Sequence, residues 1–356
     1  MLWPFSILID MSPRMTMPNN LPTEEILLPA SPPPQSEGWR RQEVQLKYRF
    51  GGRQIFSMQR AGIVHKRYPY LADPQLGTQY PGDVMRSHGV QLALLPDCLL
   101  TDEGTSDLTR VGGGVRYIPN RHVSHSFAVE GEFSDFLNET MSKKSRSTIE
   151  RKIRRCAREF GGKLSVTEYR TEEEIAQFYL LAGQVSERSY QERLLQIGLP
   201  ETDEFKQQIM ASAKSNTVRG YVLFGEGRPL AYLYLPIVEG TVMVYEYMGY
   251  DPEFRKLSTG AVLQHLAFQK IFASKCTKYF DFMPGDGTHK ALYGNIKATR
   301  GDVYFLGPKL ANALYVSTHR FTDWAHQRVT GTLERAGVKG LLKKRSRELT
   351  IPKPSS

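Results

Sequence analysis

Residues 249–266, GYDPEFRKLSTGAVLQHL, set two cations, Arg255 and Lys256, just ahead of four small residues, Ser258, Thr259, Gly260 and Ala261. An apolar helical pattern follows. The first turn of a helix presents backbone N–H groups without internal partners, and the helix dipole adds partial positive charge. Small residues let an anion approach that backbone, glycine most freely. Arg255 and Lys256 would contribute charge-assisted hydrogen bonds. The chemistry on offer is the cradling of a pyrophosphate. A solvent-exposed strand-to-helix turn, with Asp-Pro and Ser-Thr-Gly as ordinary punctuation, accounts for the same residues.

Other groups of chemical interest lie nearby in sequence. Glu246, in VMVYEYMGY, is an acid among apolar neighbours and a candidate general base, directly or through water. An outward-facing glutamate on a solvated sheet face is the competing reading. Asp281, in YFDFM, is expected to bond the loop that follows it. Asp286, His289 and Lys290 occupy a glycine-flanked loop. Lys290 suits an acceptor phosphate or carboxylate and His289 is a second base candidate, although each also reads as a solvated loop residue. His122 and His125 are spaced i, i+3 without an evident third ligand, so no metal is expected. VGGGVRY lacks the GK[ST] of a nucleoside triphosphate loop. No GxSxG or HExxH pattern is present.

The 356-residue chain is long enough for two domains. Forty per cent apolar residues and a mean hydropathy of −0.41 describe a globular protein with a sizeable core. No apolar run is long enough to span a membrane. The opening MLWPFSILIDM lacks a basic lead-in and a cleavage site, and reads as a tail rather than a signal peptide. Cys98, Cys156 and Cys276 are widely spaced, which fits a reducing, cytoplasmic setting. A net charge of +10 suits an anionic partner, whether nucleic acid, a phosphorylated co-substrate or a membrane surface.

The elements that must position these groups can be read from periodicity. Residues 1–37 are proline-rich and read as a disordered leader. Residues 38–131 are β-rich, with a strand pair around Gly51-Gly52. A helix follows in SKKSRSTIERKIRRCAREFGG, with Ser147 and Glu150 at capping-box spacing, a buried stripe through Ile149, Ile153 and Cys156, and Gly161-Gly162 as its stop. Its other face is strongly basic. KLSVTEY is a strand. A helix capped by Thr171 with Glu174 comes next, then another over TDEFKQQIMASAK. RGYVLF, PLAYLYLPIV and TVMVYEYMGY form an antiparallel meander. The 260s helix, the strand KYFDFM, a short helix THKALYGNI and the strand DVYFLG complete the pattern. Residues 309–346 read as one or two helices with a basic end. Helices and strands do not alternate singly, so a mixed α/β or α+β sheet is expected rather than a doubly wound parallel one.

Three motifs in order resemble the GNAT acyltransferase superfamily, in particular its cellulose-biosynthesis-type (CelD-like) branch, which is related to the Fem-like aminoacyl transferases. They are MSKKSRSTIERKIRR, GYDPEFRKLSTGAVL and FDFMPGDGTHK. The resemblance covers roughly residues 132–306. It implies a largely antiparallel mixed sheet flanked by helices over 132–308, a degenerate first half over 38–131, and a helical extension over 309–356. It further implies acetyl-CoA or a longer acyl-CoA as co-substrate, with no metal. The pyrophosphate would lie against Arg255, Lys256 and Ser258–Ala261. The oxyanion donor would be a backbone N–H in strand 241–250, and Tyr293 would stand where many members keep a general acid. Two departures matter. Ser258 stands at the first glycine of the acyl-CoA loop, and His289 replaces the aromatic that precedes the lysine.

The function expected from these readings is N- or O-acyl transfer to a sugar, amino-sugar or amino-acid-like small molecule in polysaccharide or envelope metabolism. Stable membrane insertion is not expected, and the oligomeric state is open. Two alternatives stay open: a Fem-like transferase using aminoacyl-tRNA, which the basic helix would suit, and a non-catalytic RNA-binding or scaffold protein.

Overall fold

A computed structural model describes residues 38–50, 53–65, 75–101, 106–188, 198–285 and 287–335. The expected leader 1–37, the Gly51-Gly52 turn and the basic C-terminal end lie outside the described residues. In chain order the elements begin β1 (Trp39–Phe50), β2 (Arg53–His65), α1 (Gly82–Ser87), β3 (Leu92–Leu99), β4 (Leu108–Val111), β5 (Gly114–Tyr117) and β6 (Arg121–Ala128). They continue with α2 (Phe133–Thr140), α3 (Lys143–Glu159), β7 (Leu164–Tyr169), α4 (Glu172–Arg188), α5 (Asp203–Lys214), β8 (Val218–Gly225) and β9 (Arg228–Val238). The last group is β10 (Val242–Val244), β11 (Tyr247–Tyr250), a 3₁₀ turn (Pro252–Leu257), α6 (Thr259–Ser274), β12 (Tyr279–Pro284), α7 (Thr288–Tyr293), β13 (Ile296–Leu306) and α8 (Leu310–Arg335).

The chain divides into two compact units, one spanning His122–Ala298 and the other formed by the residues up to Arg121 together with Thr299 onward. The boundaries therefore fall near 121 and 298, earlier than the expected 131 and 308. The C-terminal helix belongs to the same unit as the N-terminal strands instead of forming a separate extension.

In the 122–298 unit the strands run in the order β6-β12-β10-β9-β8-β7, with β11 also paired to β9. β10 and β12 are parallel and the other pairs antiparallel, so the sheet is mixed. β8 and β9 are buried almost throughout, because helices cover both of their faces. One face packs Tyr221, Leu223, Leu233 and Leu235 against Cys156 of α3 and Val262, Leu263, Ala267 and Phe268 of α6. The other packs Val222, Tyr232 and Tyr234 against Ile175, Phe178 and Ala182 of α4 and Phe205 and Ile209 of α5.

Local signals explain the helix limits. Thr171 and Glu174 form a reciprocal capping box: Thr171 Oγ1 accepts from the Glu174 N–H at 3.3 Å, and Glu174 Oε2 accepts from the Thr171 N–H at 3.0 Å. Those backbone bonds hold the Glu174 carboxyl below its usual range. α3 fills the expected segment, but Ser147 is not its cap. Its cap is Ser142, which accepts from the Ser145 N–H, and Ser147 and Glu150 sit inside the helix. The basic run Lys143–Arg146 has good helix propensity, so the helix extends back to the nearest free hydroxyl. It stops at Gly161 and Gly162, both at positive φ, where the Gly162 N–H reaches Ala157 O at 2.8 Å.

In the other unit, β1 and β2 form a long antiparallel hairpin, β2 pairs β3 in parallel, and β13 joins β3 and β5. α8 packs Tyr315, Val316 and His319 beside Tyr48, Tyr117 and Tyr304. The Tyr117 hydroxyl and His319 Nδ1 meet at 2.8 Å. Among the described residues no helix is long and apolar enough to cross a membrane.

Candidate active site

The expected single strand 241–250 is broken, and the break organises the site. β10 pairs with β9 at Met243↔Ile237, whereas β11 pairs with β9 at Tyr247↔Tyr234. Four steps along one strand answer to three along the other, so one extra residue is accommodated at Tyr245–Glu246. This is a bulge. Its effect appears in the packing. Tyr245 and Met248 both lie on the α6 face while Tyr247 lies on the α4–α5 face. The Tyr245 N–H still bonds Asp281 O at 2.8 Å, and β12 follows β10 only as far as Val244↔Asp281. Beyond that point β11 stays with β9. Alternate N–H groups of β11 point away from β9, toward the opening this leaves.

The bulge aims Glu246 as well. Its carboxylate lies close enough to the Tyr234 and Tyr247 phenols to raise both, after burial. Tyr247 is pushed up to about 12 and stays protonated at neutral pH. Glu246 is half-buried and has interactions of its own.

The loop after β11 is held from below by a buried acid. Asp251, 2 % exposed, caps the 3₁₀ turn by accepting from the Glu253 N–H at 3.1 Å through Oδ1. Its Oδ2 accepts from Arg188 at 3.2 Å and from Arg228 at 2.7 Å. Arg228 also bonds Glu253 and lies 4.7 Å over the Phe254 ring. This clamp fixes where the turn hands over to α6.

At that handover Ser258 adopts φ 58°, ψ 42°, the left-handed conformation for which glycine is the usual choice. The serine therefore takes the geometry that the resemblance assigns to a glycine. Its side chain makes no capping bond to α6. The first intrahelical bond runs from the Val262 N–H to Ser258 O, so the N–H groups of Thr259, Gly260 and Ala261 have no acceptor inside the helix. Thr259 is fully buried, and its Oγ1 has no hydrogen-bond partner among the described residues. Arg255 and Lys256 are exposed beside this turn. Gly260 lies against Met248 of β11: a Cβ there would come within 3.2 Å of the thioether. The small-residue turn thus sits directly on the strand that carries the bulge.

The remaining sequence candidates fall around the end of β12. Asp281 is fully buried and its Oδ1 accepts from the Met283 N–H at 2.7 Å, turning the chain at the end of the strand. Lys290 donates to Met283 O at 3.1 Å and Pro284 O at 2.8 Å, which closes the same loop. Burial lowers its pKa to about 8, against the opposing pull of Asp281. Lys290 and Asp281 are therefore brought together, and both are engaged with the loop backbone. Tyr293 is 2 % exposed, packs edge-on against Phe268, and meets His265 Nδ1 at 3.0 Å. Its hydroxyl is turned into the α6–α7 layer rather than toward the loop surface. Asp286 and the side chain of His289 lie outside the described residues. Among the described residues no cluster of metal-ligating side chains occurs.

Sequence reading missed Asp251 with Arg188 and Arg228, because the partners are far apart in the chain and Asp-Pro passes for turn punctuation. It also missed His265, one apolar-face histidine within a helix.

Residues 143–291 match the family described as an acetyltransferase (GNAT) domain, Acetyltransf_6. This segment runs from α3 to α7 and contains the bulge, the Ser258 turn and the Lys290 loop, so the 122–298 unit carries a GNAT acyltransferase domain. No curated protein matches the chain in sequence. Among solved structures, the chain is similar to FemX, with 11% identity and a TM-score of 0.49, over 80% of this chain and 92% of that one. It is also similar to L-PGS from Bacillus licheniformis, with 13% identity and a TM-score of 0.43, over 80% of this chain and 90% of that one.

Proposed function

We propose that the protein transfers an acyl group from acetyl-CoA or a longer acyl-CoA to the amine or hydroxyl of a sugar, amino-sugar or amino-acid-like acceptor. The observation that carries this reading is the left-handed Ser258, which leaves three first-turn N–H groups beside Arg255 and Lys256. That array suits a pyrophosphate. Acyl transfer from a thioester then needs an acceptor that can lose its proton, donors for the developing oxyanion and a fixed relative position of the two reactants. In this reading Glu246 takes the acceptor proton, directly or through water. Backbone N–H groups of β11 that point away from β9 face the oxyanion. Asp281 and Lys290 set the shape of the loop that borders the acceptor. Tyr293, buried against Phe268 and bonded to His265, serves packing better than proton delivery. Polysaccharide or envelope metabolism and a cytoplasmic location belong to the same proposal.

Calorimetric titration of the folded protein with acetyl-CoA and longer acyl-CoAs tests it. Saturable binding that is weakened by Arg255→Ala/Lys256→Ala supports the reading, and no binding of any acyl-CoA sinks it.

One observation favours a second donor. α3 exposes Lys143, Lys144, Arg151, Arg154, Arg155 and Arg158. An aminoacyl-tRNA would complement that surface, and filter retention of charged tRNA that falls steeply with salt would support it over acyl-CoA.

A further inference from the structure

α8 has two apolar faces, and the fold uses one. Asn312, Tyr315, Val316 and His319 are buried on its inner side. On the opposite side Leu310 is 78 % exposed, Leu314 56 %, Phe321 65 % and Trp324 53 %. At helical spacing these four fall within an arc of about 80° and a length of about 21 Å. Their direction is opposite to that of the inner face. Single exposed apolar residues are ordinary on a protein surface, but an aligned row that ends in two stacked aromatics, Phe321 and Trp324 at 5.8 Å, is not.

Cations border the row, and the acid within its span, Asp323, falls at helical spacing outside the outer arc. Arg320 flanks it, and Arg328 continues it with its guanidinium 5.5 Å from the Trp324 ring. The sequence beyond α8 adds Lys339, Lys343, Lys344, Arg345 and Arg347. A parallel second copy of the helix would bring Arg320 and Arg328 against their own kind, and Ser317 interrupts the seam in either direction. An anionic bilayer surface meets both requirements. Its acyl boundary takes the leucines and aromatics, and its headgroups take the cations.

We infer that the outer face of α8 is a docking surface for an anionic lipid bilayer, on which the helix lies in the plane of the interface. The inference is independent of the acyl-transfer reading.

The test is co-sedimentation of the full chain with vesicles of phosphatidylcholine alone and of phosphatidylcholine with about 30% phosphatidylglycerol. Binding to the anionic vesicles should exceed binding to the neutral ones by about tenfold or more, and should fall with salt. Phe321→Glu/Trp324→Glu should lose about tenfold in binding while keeping the melting temperature. Should that variant fold poorly, emission provides a second measurement: the blue shift on adding anionic vesicles should vanish in Trp324→Phe. Absence of sedimentation, sedimentation unaffected by the double substitution, or a dimer that the substitution dissociates without any vesicle binding would each overturn the inference.

Discussion

The Tyr293 hydroxyl and His265 Nδ1 lie 3.0 Å apart inside the layer formed by α6 and α7, with the phenol 2 % exposed. Burial raises the phenol pKa, so it stays protonated. In the Nε2–H tautomer the imidazole accepts its proton. In the proposed reading a tyrosine so placed serves packing, with one internal bond. Tyr293→Phe is therefore expected to cost about 1 kcal/mol of stability and to leave kcat within about threefold. A fall in kcat of about 10²-fold or more would restore the general-acid role.

Burial also lowers His265, to about 4, from an ordinary value of 6.5. The unfolded chain then binds more protons than the native one between those two values. Stability should be level above about pH 6.5 and fall by about 3 kcal/mol on going down to pH 4. Denaturant melts across that window check this. His265→Gln should show a correspondingly smaller acid loss, and an unchanged slope would exclude the histidine as its source.

Ser258 occupies a left-handed conformation without a glycine's freedom. Ser258→Gly should be neutral or stabilising and should keep acyl-CoA affinity. Ser258→Val should cost about 1–2 kcal/mol and weaken affinity together with it. Thermal melts and calorimetry on the pair decide. A glycine variant that loses affinity would mean that the serine hydroxyl itself contacts the ligand.

Asp251 joins Arg188, Arg228 and the Glu253 N–H under the anion loop. Truncation removes the cap of the 3₁₀ turn together with the anchor it shares with both arginines. Asp251→Ala should cost about 2–4 kcal/mol and weaken acyl-CoA binding by about tenfold, although the residue touches no ligand in this reading. A stability loss without any change in affinity would separate the clamp from the site.

Glu246 gives the sharpest test of chemistry. Glu246→Gln should lower kcat by about 10²- to 10⁴-fold while acyl-CoA binding stays within about threefold. Equal losses in binding and turnover would indicate that the residue shapes the bulge instead.

Much of the fold could be read from local signals. The α4 capping box, the Gly161-Gly162 stop and the apolar stripe of α6 are local, and local rules predict them. The Ser258 turn was legible for the same reason. The bulge was not. In VMVYEYMGY nearly every residue is apolar or aromatic, so alternation cannot reveal where one residue is added, and only the pairing with β9 exposes it. The Asp251 clamp escaped because its arginines lie 63 and 23 residues away in sequence. The burial of Tyr293 was not legible either, since it depends on packing against Phe268 and His265. The α3 cap is Ser142 rather than Ser147 because the propensity of the basic run and the Ser142 hydroxyl outweighed the capping-box spacing.

The discontinuous unit has a consequence for how the chain is made. β3 and β5 are paired by β13, whose Arg300 lies opposite Leu99. A ribosome therefore releases about two hundred residues, the whole GNAT-bearing unit, before the strand that closes β3 exists. At ordinary elongation rates that is a wait of about 10–40 s. During it the flank of β3 that β13 later fills stays unpaired, and a nascent chain in that state is the form most in need of a chaperone.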